Sequence, residues 1–143
     1  MGSRYFALVV GIVYLLVGLL GFIPGLVSAY TGPELAVSAG QGNLMGLFPI
    51  NIVHNIVHLA IGAWGIASYR SISGSVAFAR GLAILYGLLA ILGLLPAPFS
   101  TTFGLVPIHG TDVALHAVTA LAAAYFGFVA NRNPEFVDAS RRR

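Results

Sequence analysis

"FALVVGIVYLLVGLLGFIP", residues 6–24, returns later in the chain as "FARGLAILYGLLAILGLLP", residues 78–96. Aligned without a gap, Phe6, Ala7, Ile12, Tyr14, Leu16, Leu20, Gly21 and Pro24 meet Phe78, Ala79, Ile84, Tyr86, Leu88, Leu92, Gly93 and Pro96. Leucine on leucine is a cheap coincidence in apolar sequence, whereas tyrosine, glycine and proline in one register are less so. Working outward, "GLFPINIVHNIVH" (46–58) aligns on "GLVPIHGTDVALH" (104–116), so that Gly46, Leu47, Pro49, Ile50 and His58 meet Gly104, Leu105, Pro107, Ile108 and His116. The pattern predicts two similar hairpins, repeat one over about residues 5–69 and repeat two over about 78–130, within a single domain.

The solvent of these hairpins follows from composition. Of 143 residues, 58% are hydrophobic and 8% charged, against about 25% charged in ordinary soluble domains. Mean hydropathy is +0.92. A chain this short cannot hide so much apolar surface in one water-soluble core. Crossing a bilayer takes roughly 20 apolar residues, and four stretches qualify, at 5–23, 50–69, 78–95 and 113–130. Backbone groups in lipid must be satisfied within the segment, and the runs lack the alternation of barrel strands, so helices are predicted. The fold class expected is an all-α membrane protein: four transmembrane helices forming two repeated helical hairpins, a parallel internal repeat about an axis along the membrane normal.

Positive charge sets the direction. Arg4 precedes the first span, Arg70 and Arg80 flank the link between the second and third, and Arg132, Arg141, Arg142 and Arg143 follow the fourth. The opposite loops, 24–49 and 96–112, hold no arginine, and Glu34, His109 and Asp112 are their only acidic and histidine residues. Both termini are therefore expected on the cytoplasmic side of a bacterial cytoplasmic or internal membrane, with 131–143 as an arginine-rich tail attracted to anionic headgroups. The "LVSAY" ending of the first stretch imitates a signal-peptide cleavage site, but its apolar core exceeds the usual length of about 7 to 15 residues, so retention is expected. The longer first loop, 28–46, reads as an irregular tolerated insertion with one short helical or membrane-grazing turn around 35–37.

Within the returning spans, His54 corresponds to Asp112 and His58 to His116. Residues four apart share a helix face, so His54, His58, Asp112 and His116 are expected to converge near one end of the bundle. Asn51 and Asn55 stand beside them, and Tyr14 and Tyr86 lie within reach. Ionisable groups at membrane depth are costly and mark functional sites. Three readings stay open. One is a structural clasp joining the hairpins by hydrogen bonds, in a non-catalytic scaffold or accessory subunit that docks other membrane-protein subunits. Another is a transition-metal site (Zn, Cu or Fe), since imidazole and carboxylate suit those ions and the chain has no cysteine. The last is a haem or pigment held between His58 and His116, with Gly62 and Ala120 leaving room for the ring.

The segments "LLGFIPG", "GLFPINIVHNIVHLAIGAWG", "LLGLLP" and "FGLVPIHGTDVALHAVTALAAAYFG" together resemble a bacterial family catalogued as domain of unknown function 4383, over roughly residues 5–128. The resemblance implies a four-span membrane protein and no particular activity. No serine–histidine–acid set, phosphate loop or dinucleotide fingerprint occurs, so an enzyme is possible but nothing in the sequence supports one. The sequence pI near 9.7 is explained by membrane-flanking arginines, so the lipid bilayer is the expected partner and nucleic acid is not.

Overall fold

The computed structural model describes residues 1–130; the arginine-rich tail, with Arg132, Arg141, Arg142 and Arg143, lies outside the described residues. The chain is mostly helical. Helix α1 covers Gly2–Leu20, α2 Ile52–Ser68, α3 Ile72–Gly93 and α4 Thr111–Ala124, the last continuing into a wider turn over Tyr125–Val129. Gly2–Leu20, Ile72–Gly93 and Thr111–Val129 are long and apolar enough to cross a membrane; Ile52–Ser68 is apolar and shorter, at 17 residues.

Local chemistry explains where the helices begin. Asn51 caps α2, its Oδ1 accepting the His54 N–H at 2.9 Å. Ser71 caps α3 by accepting the Gly74 N–H at 3.0 Å. These side-chain acceptors satisfy amide donors that the first turn of a helix leaves without partners. In α4, Gly110 turns the chain at φ 67° with no side-chain cap, and Asp112 sits in the first turn, where the helix dipole favours a negative charge.

Packing follows residue size. α1 lies chiefly against α2, and α3 against α4. A Cβ placed on Gly11 would meet the Gly62 carbonyl oxygen at 2.9 Å, and one placed on Gly62 would meet that of Gly11 at 2.8 Å. The two backbones touch, as small residues permit between membrane helices. The apolar core, including Phe6, Ala7, Tyr14, Ile61, Phe78, Leu82 and Tyr86, fills the space between the pairs. Outward-facing side chains are as apolar as inward ones: Val9, Leu16, Ile84, Leu88, Val118 and Leu121 are all more than half exposed. An exterior of that kind fits hydrocarbon, not water.

One expectation needs correction. Instead of an irregular loop with a helical turn at 35–37, the segment between α1 and α2 carries a three-stranded antiparallel sheet, β1 (Val27–Ser28), β2 (Gly42–Leu44) and β3 (Phe48–Ile50). Residues 35–37 form no helical turn; Leu35 is buried, and the Val37 N–H donates to the Gly104 carbonyl of the other large loop at 3.1 Å. The strands are too short for alternation to reveal them. Their order depends on partners such as Asn43, which pairs with Pro49 in the sheet and donates from Nδ2 to Ala29 O and Thr31 Oγ1, both at 2.9 Å.

Candidate functional site

The first turns of α2 and α4 face one another beneath the two large loops. Asn51 fixes this junction: besides capping α2, its Nδ2 donates to the carbonyls of Val37 at 2.9 Å and Leu105 at 2.7 Å, one from each loop. Thr111 at the head of α4 donates to the Leu47 carbonyl of the first loop. Each returning helix is thereby tied to the other half's loop before its histidine turn begins.

On that junction, His54, Asp112 and His116 offer one ligand atom each within 4.8 Å of one another. All three are buried, with 3% or less exposure. His54 Nδ1 lies 3.0 Å from the Pro49 carbonyl oxygen. A carbonyl only accepts, so Nδ1 carries the hydrogen and Nε2 keeps its lone pair. That Nε2 stands 3.8 Å from Asp112 Oδ2, and His116 Nε2 stands 3.5 Å from the same oxygen. Both separations exceed the 2.7–3.2 Å of an N–H···O hydrogen bond, and Asp112 Oδ2 has no hydrogen-bond partner. A buried carboxylate oxygen without a partner is costly.

The remaining predicted residues divide. The His58 ring centroid lies 4.4 Å from that of His54, and its Nδ1 is buried without a partner. Tyr14 meets His58 edge-on at 5.1 Å, Tyr86 meets His116 edge-on at 4.9 Å, and the two tyrosine rings meet each other at 5.3 Å. The tyrosines thus floor the cluster. The Tyr14 hydroxyl pairs not with a histidine but with Thr119 Oγ1, at 2.9 Å. Asn55 faces away: a Cβ on Gly21, just past the end of α1, would strike its carboxamide. Gly62 likewise faces the backbone of α1 instead of opening space beside His58.

A cavity of about 160 Å³ adjoins the imidazoles, bounded by His54, His58 and His116 and by Leu85, Tyr86 and Val106. Sequence reading missed Thr119, the Pro49 carbonyl and the loop residues Thr102 and Val106 that also line this space. Thr119 carried a signal, one helical turn beyond His116. The Pro49 carbonyl carried none, because any residue has one.

Among the described residues His109 stays apart from the cluster and pairs through Nε2 with the Tyr30 hydroxyl at 3.0 Å. That hydroxyl donates to the Pro33 carbonyl at 3.0 Å. Partial burial lowers the His109 pKa from its ordinary value of 6.5 and raises that of Tyr30 from 10.0.

The model of a family described as a domain of unknown function, DUF4383, matches residues 4–129. The chain belongs to the DUF4383 family. No curated protein and no solved structure matches it. For this DUF4383 chain, function must be argued from the arrangement of its own residues, and the His54–Asp112–His116 group is where polar atoms and burial coincide.

Proposed function

We propose that this DUF4383 protein spans the membrane four times as two parallel hairpin repeats, and that His54, Asp112 and His116 bind one divalent transition-metal ion, with His58 beside them as a further imidazole. The observation that carries the metal reading is the spacing of the three ligand atoms. Ligands about 2.0–2.1 Å from a tetrahedral zinc ion stand about 3.3 Å apart. The separations of 3.5 and 3.8 Å around Asp112 Oδ2 are close to that figure and too long for direct hydrogen bonds, and all three ligand atoms lie within 4.8 Å of one another, so the two imidazoles would draw together around an ion. The His54 Nδ1–H on the Pro49 carbonyl is the outer contact that fixes a ligating imidazole's tautomer. Two nitrogens and one oxygen suit zinc, copper or iron.

Support for the repeat comes from paired contacts. Ser3 of α1 donates to the Phe126 carbonyl at 2.9 Å, and Ser75 of α3 donates to that of Ser68 at 2.8 Å. Arg4 Nε donates to the Tyr69 carbonyl and Arg80 Nε to that of Gly127. Met45 and Gly46 have φ of 54° and 73°, and their counterparts Phe103 and Gly104 have 59° and 85°. Exchange of the halves carries the serine contacts and the two turns onto one another, whereas the arginine pair shares only its acceptor positions, Tyr69 and Gly127, because Arg4 aligns with Val76 and Arg80 with Leu8. At 17 residues, α2 reaches the lower end of the spanning range.

In this reading the ion and the clasp are one device: it joins α2 to α4, one from each hairpin. A macrocycle is disfavoured, because the adjoining cavity of about 160 Å³ falls short of the roughly 300–1,000 Å³ of organic-ligand pockets. Elemental analysis of the purified full-length protein tests the proposal. One zinc, copper or iron per chain is expected in the natural protein, and Asp112→Asn and His116→Ala are expected to bind it at least 100-fold more weakly, as loss of a ligand implies. Metal-free protein whose zinc affinity is the same in all three forms would leave the hydrogen-bonded clasp as the function of the cluster.

A further inference from the structure

A second cavity, of about 330 Å³, lies between the end of α1, strand β1 and the first turns of α2. It shares no lining residue with the cavity beside the imidazoles. Its polar groups are the carboxamides of Asn55 and Gln41, and Phe22, Val27 and Ile52 supply apolar wall. Asn55 is 2% exposed and its Oδ1 has no hydrogen-bond partner. The carboxamide occupies the Cβ space that Gly21 leaves free.

The other half of the chain shows what packing alone requires there. In the aligned register Gly93 corresponds to Gly21 and Val113 to Asn55. A Cβ on Gly93 would meet a Val113 methyl at 2.8 Å, so the same helix contact is closed in the second half by an apolar side chain. Helix packing therefore does not call for an amide at Asn55. Burying an unpaired amide oxygen is unfavourable, and valine at the matching place avoids it. The amide stands where it borders a cavity, and valine stands at the matching place of the second half.

We propose that this cavity binds a neutral amphiphile, whose uncharged hydroxyl- or carbonyl-bearing head hydrogen-bonds to Asn55 and Gln41 and whose apolar part lies over Phe22 and Ile52. The volume falls within the range of small-molecule sites, which combine apolar walls with a few placed polar groups. No ionisable side chain lines it, so a charged head would lose its hydration without an opposite charge. Carboxamides offer both a donor and an acceptor, matching a hydroxyl. Phe22 and Ile52 are 48% and 37% exposed, which leaves an apolar surface for a chain to follow.

The experiment is a titration of the purified full-length protein in micelles, read by native mass spectrometry, with 1-monooleoylglycerol, oleate and glycerol as probes. Monooleoylglycerol is expected to give one saturable adduct, with oleate much weaker. Asn55→Val, which installs the second half's own residue, is expected to weaken that adduct about tenfold without lowering the unfolding midpoint. Gln41→Leu, on the exposed side, is expected to weaken it severalfold and serves if Asn55→Val does not fold. A glycerol adduct with the same dependence on Asn55 keeps the site and assigns its head chemistry to a soluble polyol. Equal monooleoylglycerol affinity in natural protein and both variants, equal binding of oleate, or no saturable adduct overturns the proposal and leaves a hydrated crevice. Zinc content is measured in parallel, so failure here and failure of the metal reading are told apart.

Discussion

Asp112 has one carboxylate oxygen facing two imidazole nitrogens at 3.5 and 3.8 Å and hydrogen-bonded to neither. An ionised carboxylate so placed is costly, and in the proposed metal site a cation would offset that cost. In that reading added zinc is expected to raise the unfolding free energy of the natural protein by about 2.7 kcal/mol at one hundred times its dissociation constant, and that of Asp112→Asn by no more than about 0.4 kcal/mol. In chelator, Asp112→Asn is expected to be no less stable than the natural protein, since the buried carboxyl group whose oxygen lacks a partner is gone; denaturant titrations with and without zinc read both effects. His109 provides a separate prediction outside the spans. Burial holds its folded pKa below 6.5, so between that lowered value and 6.5 the unfolded chain binds more protons than the folded one. Its contribution is then intact above pH 6.5 and declines as pH falls through that window. The stability difference between natural protein and His109→Gln should shrink from pH 7.5 to pH 5; a difference that stays level contradicts the assignment.

Among the helices, glycine has two different meanings. Gly62 sits where a Cβ would press on the Leu15 and Gly11 backbones, whereas a Cβ on Gly87 would meet nothing within 4 Å. Gly62→Ala is expected to force α1 and α2 apart at about 1–3 kcal/mol, and Gly87→Ala to be neutral or slightly stabilising, because alanine restricts the unfolded chain. Unfolding titrations in mixed micelles compare the two; equal effects would mean that the α1–α2 contact is looser than its geometry. The presence of small residues on each span was legible in the sequence. Which of them faces a neighbouring backbone was not, because that depends on helix rotation. The same reason explains Asn55, which follows His54 in sequence yet faces α1 and a different cavity.

For the whole molecule, both arginines among the described residues that bond helix-terminal carbonyls, Arg4 and Arg80, lie at the end opposite the histidine junction. With positive charge retained inside, that end is expected on the cytoplasmic side. The chain has no cysteine, so single cysteines report sidedness without background. Gly46→Cys is expected to react with an impermeant maleimide added to intact cells, and Arg70→Cys only after the membrane is opened. The reverse pattern overturns the orientation, and labelling of both from outside overturns the even number of spans.

What the sequence determined by itself are the properties set by neighbours along the chain. Apolar runs and capping residues decide where α1 to α4 form, within about two turns: the segment read at 113–130 is the helix Thr111–Ala124 and the turn after it, and the one read from 78 begins earlier, at Ile72, because Ser71 caps it. Family membership and the identity of the polar residues were also readable there. Tertiary structure alone decided which histidine nitrogen faces Asp112, how Asn51 binds both loops, that the first loop folds into a sheet, and that Asn55 borders a cavity of its own. These depend on the rotation of one helix against another and on hydrogen bonds between distant loops, and both arise only when residues far apart in sequence compete for the same buried space.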